Sequence, residues 1–367
     1  MKVLGLDIGG ANIKAATADG ESTCLPFPIW REPSKLAEKL RALPLINAGH
    51  PQIVALTMTA ELADCFATKA EGVAFVVRTV EQVYPKSLVR VWMTSGEFAE
   101  PDDAVELSQL VAAANWHALA TWAGRAVPLG AALLIDVGST TTDVIPLLNG
   151  IPVPEGTTDL QRLASSELLY TGIRRTPLCA IVSSVPLSFD AHGEAADDTS
   201  VLVPLAAELF ATILDVHLLN GDLPENADDL DTADGRPATR SAAMNRLAHM
   251  LCCDSTELSE SLLLSVAQYI ADEQVRRIAR AIENRAAFVR RLAGPAPDAC
   301  QVRLLLSGSG AWLAERAIQE TDDSRFVPAI NLSTMFVRNV STCAPAFAVA
   351  RLAAERCLDD LLPLSSF

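Results

Sequence analysis

One pattern occurs twice in this sequence and constrains the fold more than any other feature. An apolar run that ends in Asp7 leads into a glycine turn and a second apolar run, and the same order recurs around Asp136. Short β-rich runs on both sides of Gly, Ser and Thr residues predict a strand, a tight hairpin and a returning strand. Two copies of this unit predict two related halves that face each other.

The composition of the two turns is suited to phosphate chemistry. Glycine lets the backbone approach an anion closely, and the N–H groups of a turn can converge on phosphate oxygens. An Asp at the end of a strand can hold a hydrated divalent cation, which prefers carboxylate, water and phosphate oxygens. For either copy alone, the alternative is an ordinary hairpin whose glycine serves only the turn. The predicted phosphate-binding residues of the two hairpins are Gly9, Gly10, Asn12, Lys14, Gly138, Ser139, Thr140 and Thr141.

The acidic balance of the chain restricts its partners. A net charge of −16, from 29 basic and 45 acidic residues, argues against nucleic acid and against an anionic membrane surface. A phosphorylated small molecule remains compatible, because a bound cation and nearby Arg or Lys can reverse the local field. The eight Cys include no C-x-x-C motif, which gives zinc little support. A homo-oligomer is left open.

The N-terminal and apolar segments indicate where the protein works. The first predicted strand follows Lys2 directly, so we expect no signal peptide. No uninterrupted apolar run reaches the length of about 18 residues that a membrane helix needs. We therefore expect a cytoplasmic protein with reduced thiols.

Periodicity and turn residues predict the remaining elements. Strands are expected at 52–59, 72–80, 88–94 and 302–306, and helices at 32–43, 101–123, 202–220, 255–292, 311–319 and 343–361. A boundary near residues 124–128 divides the chain into an N-terminal domain, 1–127, and a second domain, 128–340, with helical insertions. The last segment, 341–367, is expected to pack back on the first domain.

Two loops have compositions that suggest a function. The turn between the predicted strand at 302–306 and the following helix suits a nucleotide or another flat phosphorylated ligand, which indicates Gly308, Ser309 and Gly310 as nucleotide- or substrate-binding residues. The acidic segment 221–240 is typical of a solvated loop, and its functional alternative is a mobile lid or a cation site.

The order of these motifs resembles a known superfamily. Segments 6–12, 136–143 and 306–310 are similar to the phosphate-1, phosphate-2 and adenosine motifs of acetate kinase, sugar kinases, heat-shock chaperones and actin. The second motif looks most like the hydantoinase/oxoprolinase branch. The resemblance implies two ribonuclease-H-like α/β domains with a ligand cleft between them, and it leaves ATP open as a cofactor.

A narrower resemblance points to a pathway. Segments 57–64, 114–118, 167–177 and 231–237 are similar to proteins linked to the tetrahydromethanopterin one-carbon pathway, whose archaeal relatives build the aryl–furfuryl ether of methanofuran. That resemblance implies a transferase that joins an aminomethyl-furan methyl diphosphate to the phenol of tyramine, or of γ-glutamyl-tyramine, and releases pyrophosphate.

The resemblance also implies roles for particular residues. Mg²⁺ would be held through Asp7, Asp136 or Asp143 and waters. Further phosphate contacts would come from Lys14, Arg174 and Arg175. A phenol has a pKa of about 10, so that a general base would help. The sequence offers Asp136, Glu61 and Asp215 as bases and does not choose among them.

Two other functions fit the same motifs. The first is an ATP-dependent kinase or an ATP-driven hydrolase of the hydantoinase/oxoprolinase type. The second is a non-catalytic scaffold that keeps a nucleotide-like pocket. Intact Asp7, Asp136 and Asp143 weigh against the scaffold, because a decayed pocket has no physical need for three carboxylates.

Overall fold

The computed structural model describes residues 2–46, 49–188, 200–294, 301–321, 324, 326–335 and 340–357. The strands in this part of the chain are β1 Val3–Ile8, β2 Asn12–Thr17, β3 Ser22–Pro26, β4 Ile53–Met58, β5 Leu88–Trp92, β6 Phe98–Ala99, β7 Ala131–Val137, β8 Thr142–Leu148, β9 Ile151–Pro152, β10 Leu168–Leu169, β11 Ser184–Leu187, β12 Val201–Pro204, β13 Val302–Ser307 and β14 Phe326–Asn331. The helices are α1 Leu36–Arg41, α2 Lys69–Val83, α3 Pro101–Glu106, α4 Ser108–Val111, α5 Asn115–Ala123, α6 Asp159–Ser165, α7 Ile213–Leu219, α8 Arg240–His249, α9 Glu260–Ala293, α10 Ala311–Gln319 and α11 Ala344–Arg356.

Two sheets repeat one strand plan. The first sheet has the order β3-β2-β1-β4-β5-β6, and the second has the order β10-β8-β7-β13-β14. In each, an antiparallel hairpin (β1 with β2, β7 with β8) supplies one side, and parallel strands (β4 and β5, or β13 and β14) extend the other side. The two predicted hairpins are therefore equivalent elements of two similar sheets.

Helices cover the sheets in layers. The outer face of the first sheet packs against α1 and α2, and the outer face of the second packs against α9 and α10. Helices α5 and α11 pack between the two sheets, where they share cores with the inner faces of both. Helices and sheets thus alternate in five layers, and β1 and β7 belong to the two sheets on either side of the central helical layer.

A helical insertion packs beside the second sheet. Helices α7 and α8, the β11–β12 hairpin and the first half of α9 form a core of their own. Helix α9 is 34 residues long, and its second half belongs to the core under the second sheet. This one helix therefore connects the insertion rigidly to the sheet that carries the second glycine hairpin.

Several predicted elements agree with the structure, and one that was predicted as a strand does not. Helices α9 and α10 and strand β13 lie where the periodicity placed them. Segment 72–80 was predicted as a strand and is part of α2, so that prediction was wrong. Thr68 caps this helix by accepting a hydrogen bond from the backbone N–H of Glu71, and Val73, Val76, Val77 and Val80 lie buried at helical spacing. Helical packing thus overrides the β-preference of valine.

The other differences come from breaks in predicted helices. Segment 202–220 begins as strand β12, and only Ile213–Leu219 is helical. Segment 101–123 forms three helices, with Ala113 at φ 49° before α5. The predicted C-terminal helix corresponds to α11, while residues 358–367 lie outside the described part of the chain. The division of the chain near residue 128 stays a prediction.

None of the helices in the described ranges combines the length and the apolarity that a membrane span requires.

Close packing of α11 on β1 depends on Gly5. A Cβ at this position would lie 1.9 Å from the backbone oxygen of Ala346. We expect Gly5→Ala to push α11 away from the sheet and to lower the free energy of unfolding by about 1–3 kcal/mol. Urea denaturation followed by circular dichroism measures the change.

Gly10→Ala is the matched control for this substitution. No atom lies within 4 Å of a Cβ added at Gly10, so stability should stay close to that of the wild type. Equal stability of the two variants would contradict the close packing of α11 on β1.

Candidate active site

The first sheet presents a row of polar side chains on its inner face. Gly5 of β1 packs against α11, so Asp7, two positions further on, shares this inner face. Asp7 lies opposite Lys14 on β2 and opposite Thr57 on β4. The Nζ atom of Lys14 is 3.9 Å from Oδ2 of Asp7. An anion, a cation and a hydroxyl therefore lie side by side across three strands.

The second sheet presents an equivalent row. Ala132 and Leu134 of β7 belong to the core between the sheets, so Asp136 continues the same inner face. Asp136 lies opposite Asp143 on β8 and opposite Ser307 on β13. Asp7 and Asp136 thus occupy equivalent positions on equivalent strands, and each lies beside a hydroxyl on the neighbouring parallel strand.

Lys14 connects the two rows electrostatically. Burial by itself lowers the pKa of this ammonium group, but the carboxylates of Asp7 and Asp136 outweigh burial and raise it. Burial raises the pKa of Asp143, and the charge of Lys14 is among the interactions that oppose this rise. One cation from the first sheet therefore faces carboxylates of both sheets.

Both glycine turns close in the same way just beyond these rows. The N–H of Gly9 donates to the backbone oxygen of Asn12 at 2.9 Å, and the N–H of Gly138 donates to that of Thr141 at 2.9 Å. The hydroxyls of Ser139 and Thr140 lie 3.4 Å apart in the second turn. The structure therefore brings the predicted phosphate-binding turns to the ends of the two facing rows.

The third glycine turn packs directly on the second hairpin. A Cβ at Gly308, whose φ is +84°, would lie 2.2 Å from the backbone oxygen of Val137 and 2.8 Å from Oδ1 of Asp136. The N–H of Gly310 donates to the same backbone oxygen of Val137 at 2.9 Å. These glycines are thus required by packing, and ligand contacts of Gly308, Ser309 and Gly310 stay a prediction.

Asp7 and Asp136 each keep a buried carboxyl oxygen without a hydrogen-bond partner among the described residues. Burial, followed by the nearby charge of Asp143, raises the pKa of Asp136 to about 6. Burial also raises the pKa of Asp7, against the attraction of Lys14. Unpartnered buried oxygens are unfavourable in a folded protein and often mark a ligand site.

Asp143 is held differently from the other two aspartates. Arg162 of α6 donates to Oδ1 of Asp143 at 2.5 Å, and its guanidinium lies 4.0 Å from the centre of the Trp116 ring on α5. Burial raises the pKa of Asp143, while the charge of Arg162 lowers it. A buried cation therefore balances the carboxylate that lies next to Asp136.

The donor set fits Mg²⁺ through two carboxylates. No group of three or more His, Cys, Asp or Glu side chains in the described ranges is placed to hold a metal ion. Mg²⁺ is usually held by one or two carboxylates together with waters and phosphate oxygens. The unpartnered oxygens of Asp7 and Asp136 suit that mode, while a contribution from Asp143 stays a prediction.

The three predicted bases lie in different environments. Glu61, in the turn after β4, is 1 % exposed, its Oε2 has no hydrogen-bond partner among the described residues, and burial raises its pKa to about 7. Asp215 accepts from Arg246 at 2.8 Å and from the N–H of Thr212 at 2.9 Å, which makes it a cap of α7. Asp136 and Glu61 therefore keep an oxygen available, whereas both carboxyl oxygens of Asp215 are bound.

The paired arginines lie against the second glycine turn. The backbone N–H groups of Arg174 and Arg175 donate to the backbone oxygen of Ser139 at 3.0 and 3.1 Å. Their side chains form ion pairs with Asp229 at 2.7 Å and with Asp231 at 2.8 Å. The arginines are thus beside the expected phosphate site, with their charges paired to the acidic loop.

Three residues of this region were missed by the sequence reasoning. Thr57 and Ser307 are buried hydroxyls at the ends of apolar strands, and their equivalent positions in the two halves are a signal that could have found them. Arg162 has no such signal, because arginine on a short helix normally indicates a solvent-exposed position.

The fold and the facing rows define the class of protein. Two sheets of one strand order, each with an Asp beside a glycine turn, form a two-domain α/β protein of the actin and sugar-kinase type, which confirms the predicted ribonuclease-H-like fold class. A nucleotide-free structure of acetone carboxylase, from work on ATP-dependent acetone carboxylation, aligns with a TM-score of 0.53 at 11% identity, covering 95% of this chain and 70% of that one. Within this class, the family model described as hydantoinase/oxoprolinase matches residues 52–356, and the chain belongs to that family.

Two relatives of this chain share the same name. The chain is 29% identical over 353 residues to the (4-{4-[2-(gamma-L-glutamylamino)ethyl]phenoxymethyl}furan-2-yl)methanamine synthase of Methanocaldococcus jannaschii, covering 95% of this chain and 97% of that protein. It is 27% identical over 229 residues to the synthase of that name from Methanococcus vannielii, covering 60% of this chain and 89% of that protein.

The raised pKa of Glu61 predicts a pH-dependent stability. Its carboxyl has a pKa of about 7 in the folded protein against an ordinary value of 4.5, so the stability that comes from its neutral form is lost as pH rises through 7. Glu61→Gln has no ionisable group at this position, so the variant does not lose this stability as the pH rises. The free energy of unfolding of the variant relative to the wild type should rise by about 3 kcal/mol from about pH 4 to about pH 8.

Urea denaturation at a series of pH values tests this expectation. Exposed Glu106 of α3 provides the control, because Glu106→Gln removes a carboxylate that remains in water. A pH-independent difference between Glu61→Gln and the wild type would contradict the assignment of a buried, neutral Glu61.

Proposed function

We propose that this protein is an ether-forming transferase of methanofuran-type cofactor biosynthesis in the tetrahydromethanopterin-linked one-carbon pathway. It would condense an aminomethyl-furan methyl diphosphate with the phenol of tyramine, or of glutamyl-tyramine, and release pyrophosphate. The observation that carries the proposal is the similarity to the methanamine synthase over almost the full length of both chains. The compound in the name of that relative contains a phenoxymethyl-furan, which is an aryl–furfuryl ether.

The atoms of the proposed reaction balance without an oxidant or a nucleotide. The phenol oxygen forms a bond to the furan methylene carbon, the bond from that carbon to the diphosphate oxygen breaks, and pyrophosphate leaves with the electron pair. The phenol proton passes to a base. The furan ring stabilises positive charge on the methylene carbon, so that tight binding of the leaving group supplies much of the catalysis.

The two rows supply the binding groups for this leaving group. The N–H groups of Gly9 and Gly138 close their turns, so the residues that follow them, Gly10 and Ser139, would direct their N–H groups to the diphosphate. Lys14 would add a positive charge. Mg²⁺ bound by Asp7 and Asp136 would neutralise part of the diphosphate charge. A site built for the phosphates of a nucleotide can thus hold a diphosphate ester.

We assign the role of the base to Glu61. Its pKa of about 7 is close to neutral pH, where a general base is most effective, and its Oε2 has no hydrogen-bond partner among the described residues. Asp136 is better suited to hold the cation, because it lies in the row that faces Asp7 and Lys14. Asp215 is bound through both carboxyl oxygens and is not retained as a base.

An ATP-dependent kinase or hydrolase is the second candidate. The observation that favours it is membership of the hydantoinase/oxoprolinase family. Dependence on ATP separates the two candidates, because the transferase needs only the energy of its diphosphate substrate.

We expect the purified protein to form the ether and pyrophosphate from the furan diphosphate and tyramine or glutamyl-tyramine, with Mg²⁺ and without ATP. Glu61→Gln should lower kcat by about 10²- to 10⁴-fold and should remove the limb of the pH–rate profile near pH 7, with little change in KM for the diphosphate. Mass spectrometry of the ether and a pyrophosphate assay follow the reaction.

Asp102→Asn, on the exposed surface of α3, is the control for charge removal and should keep wild-type rates. Absence of ether in all conditions, together with ATP hydrolysis, would reject the transferase in favour of the second candidate.

A further inference from the structure

The backbone of the arginine pair is fixed on the second glycine turn. A Cβ at Gly172 would lie 2.6 Å from the backbone nitrogen of Thr140, so this segment contacts the turn directly. Gln274 of α9 donates to the backbone oxygen of Gly172 at 2.8 Å, which fixes the segment to this helix as well. The backbone of Arg174 and Arg175 therefore lies at the edge of the site that we assign to the diphosphate, and their side chains extend from there.

Each arginine is paired with one carboxylate of a single loop. The Nη2 atom of Arg174 lies 2.7 Å from Oδ2 of Asp229, and that of Arg175 lies 2.8 Å from Oδ2 of Asp231. All four side chains are partly exposed to solvent. Partly exposed ion pairs of this kind are weak, so an anionic ligand can replace the carboxylates.

The loop has anchors that do not involve the arginine pair. Its two ends are paired at Asn226 and Ala238, and Asp234 accepts from buried Arg246 at 3.0 Å. Within the loop, Oδ1 of Asp229 accepts from the N–H of Asp231 at 3.1 Å. The loop can therefore keep its fold when the two ion pairs open.

We propose that Asp229 and Asp231 compete with a diphosphate for Arg174 and Arg175, and that the bound ligand replaces both carboxylates. This inference rests on the proposed function, in which the substrate carries a diphosphate. A single phosphoryl group can take the place of one carboxylate, whereas a diphosphate can bind both guanidinium groups. The two arginines together therefore favour a diphosphate, and each ion pair lowers the affinity for it.

The test compares the binding of inorganic phosphate and of inorganic pyrophosphate at a fixed Mg²⁺ concentration by calorimetry. The wild type should prefer pyrophosphate. Asp229→Asn and Asp231→Asn should each increase the affinity for pyrophosphate by about fivefold, because the ligand no longer has to displace that carboxylate. An Asn at position 229 keeps the oxygen that accepts from the N–H of Asp231, and thermal unfolding checks that the loop remains folded.

Asp228→Asn is the matched control, because Asp228 is exposed in the same loop and the substitution removes the same charge. Its affinity for pyrophosphate should stay close to that of the wild type, which separates the ion pairs from general electrostatics. Arg174→Gln should lose much of the preference for pyrophosphate over phosphate. Unchanged or weaker pyrophosphate binding by the two Asn variants, or an unchanged preference in Arg174→Gln, would overturn the inference.

The ether assay distinguishes this failure from a failure of the proposed function. Tighter pyrophosphate binding by the Asn variants without any ether product would support the competition at the arginines and reject the proposed substrate. Ether formation by the wild type with unchanged pyrophosphate binding in the Asn variants would reject the role of Asp229 and Asp231 alone.

Discussion

The charge of Lys14 is the interaction on which the facing carboxylates of the two sheets depend. Asp7 and Asp136 lie at the ends of equivalent strands on the inner faces, where two uncompensated carboxylates would repel each other and resist burial. Lys14 lies beside the first and acts on the second. Because its own pKa is raised by these carboxylates, the side chain keeps its positive charge although it is partly buried. The same charge is then available to the diphosphate of the proposed substrate.

The two halves repeat a backbone but differ in charge at one equivalent position. Lys14 lies across from Asp7, whereas Asp143 lies across from Asp136. The carboxylate of Asp143 adds a third negative charge to the site, and Arg162 of α6 compensates for this charge. The site therefore keeps the symmetry of its two glycine turns, and each half balances its charge with a different cation.

Local sequence signals predicted most of the fold that surrounds this site. The hairpins at Gly9 and Gly138 depend on residues within one turn, and α9 has a long uninterrupted period, so both could be recognised from the sequence. Segment 72–80 could not, because valines at helical spacing are also common in strands. The pairing of Arg174 with Asp229 joins residues that are far apart in the chain, and no local pattern encodes it.

The unpartnered atoms of the site connect its stability to its ligand. Asp7, Thr57, Glu61 and Asp136 each bury an oxygen that no described residue binds, and each such atom opposes folding by its lost contact with water. They lie near the ends of β1, β4 and β7 or in the turn that follows β4. A ligand that supplies partners to several of them binds the folded state only, and it therefore stabilises the fold as it binds. The arrangement that is least favourable for the empty protein is thus the one that gains most from a polar, multidentate ligand.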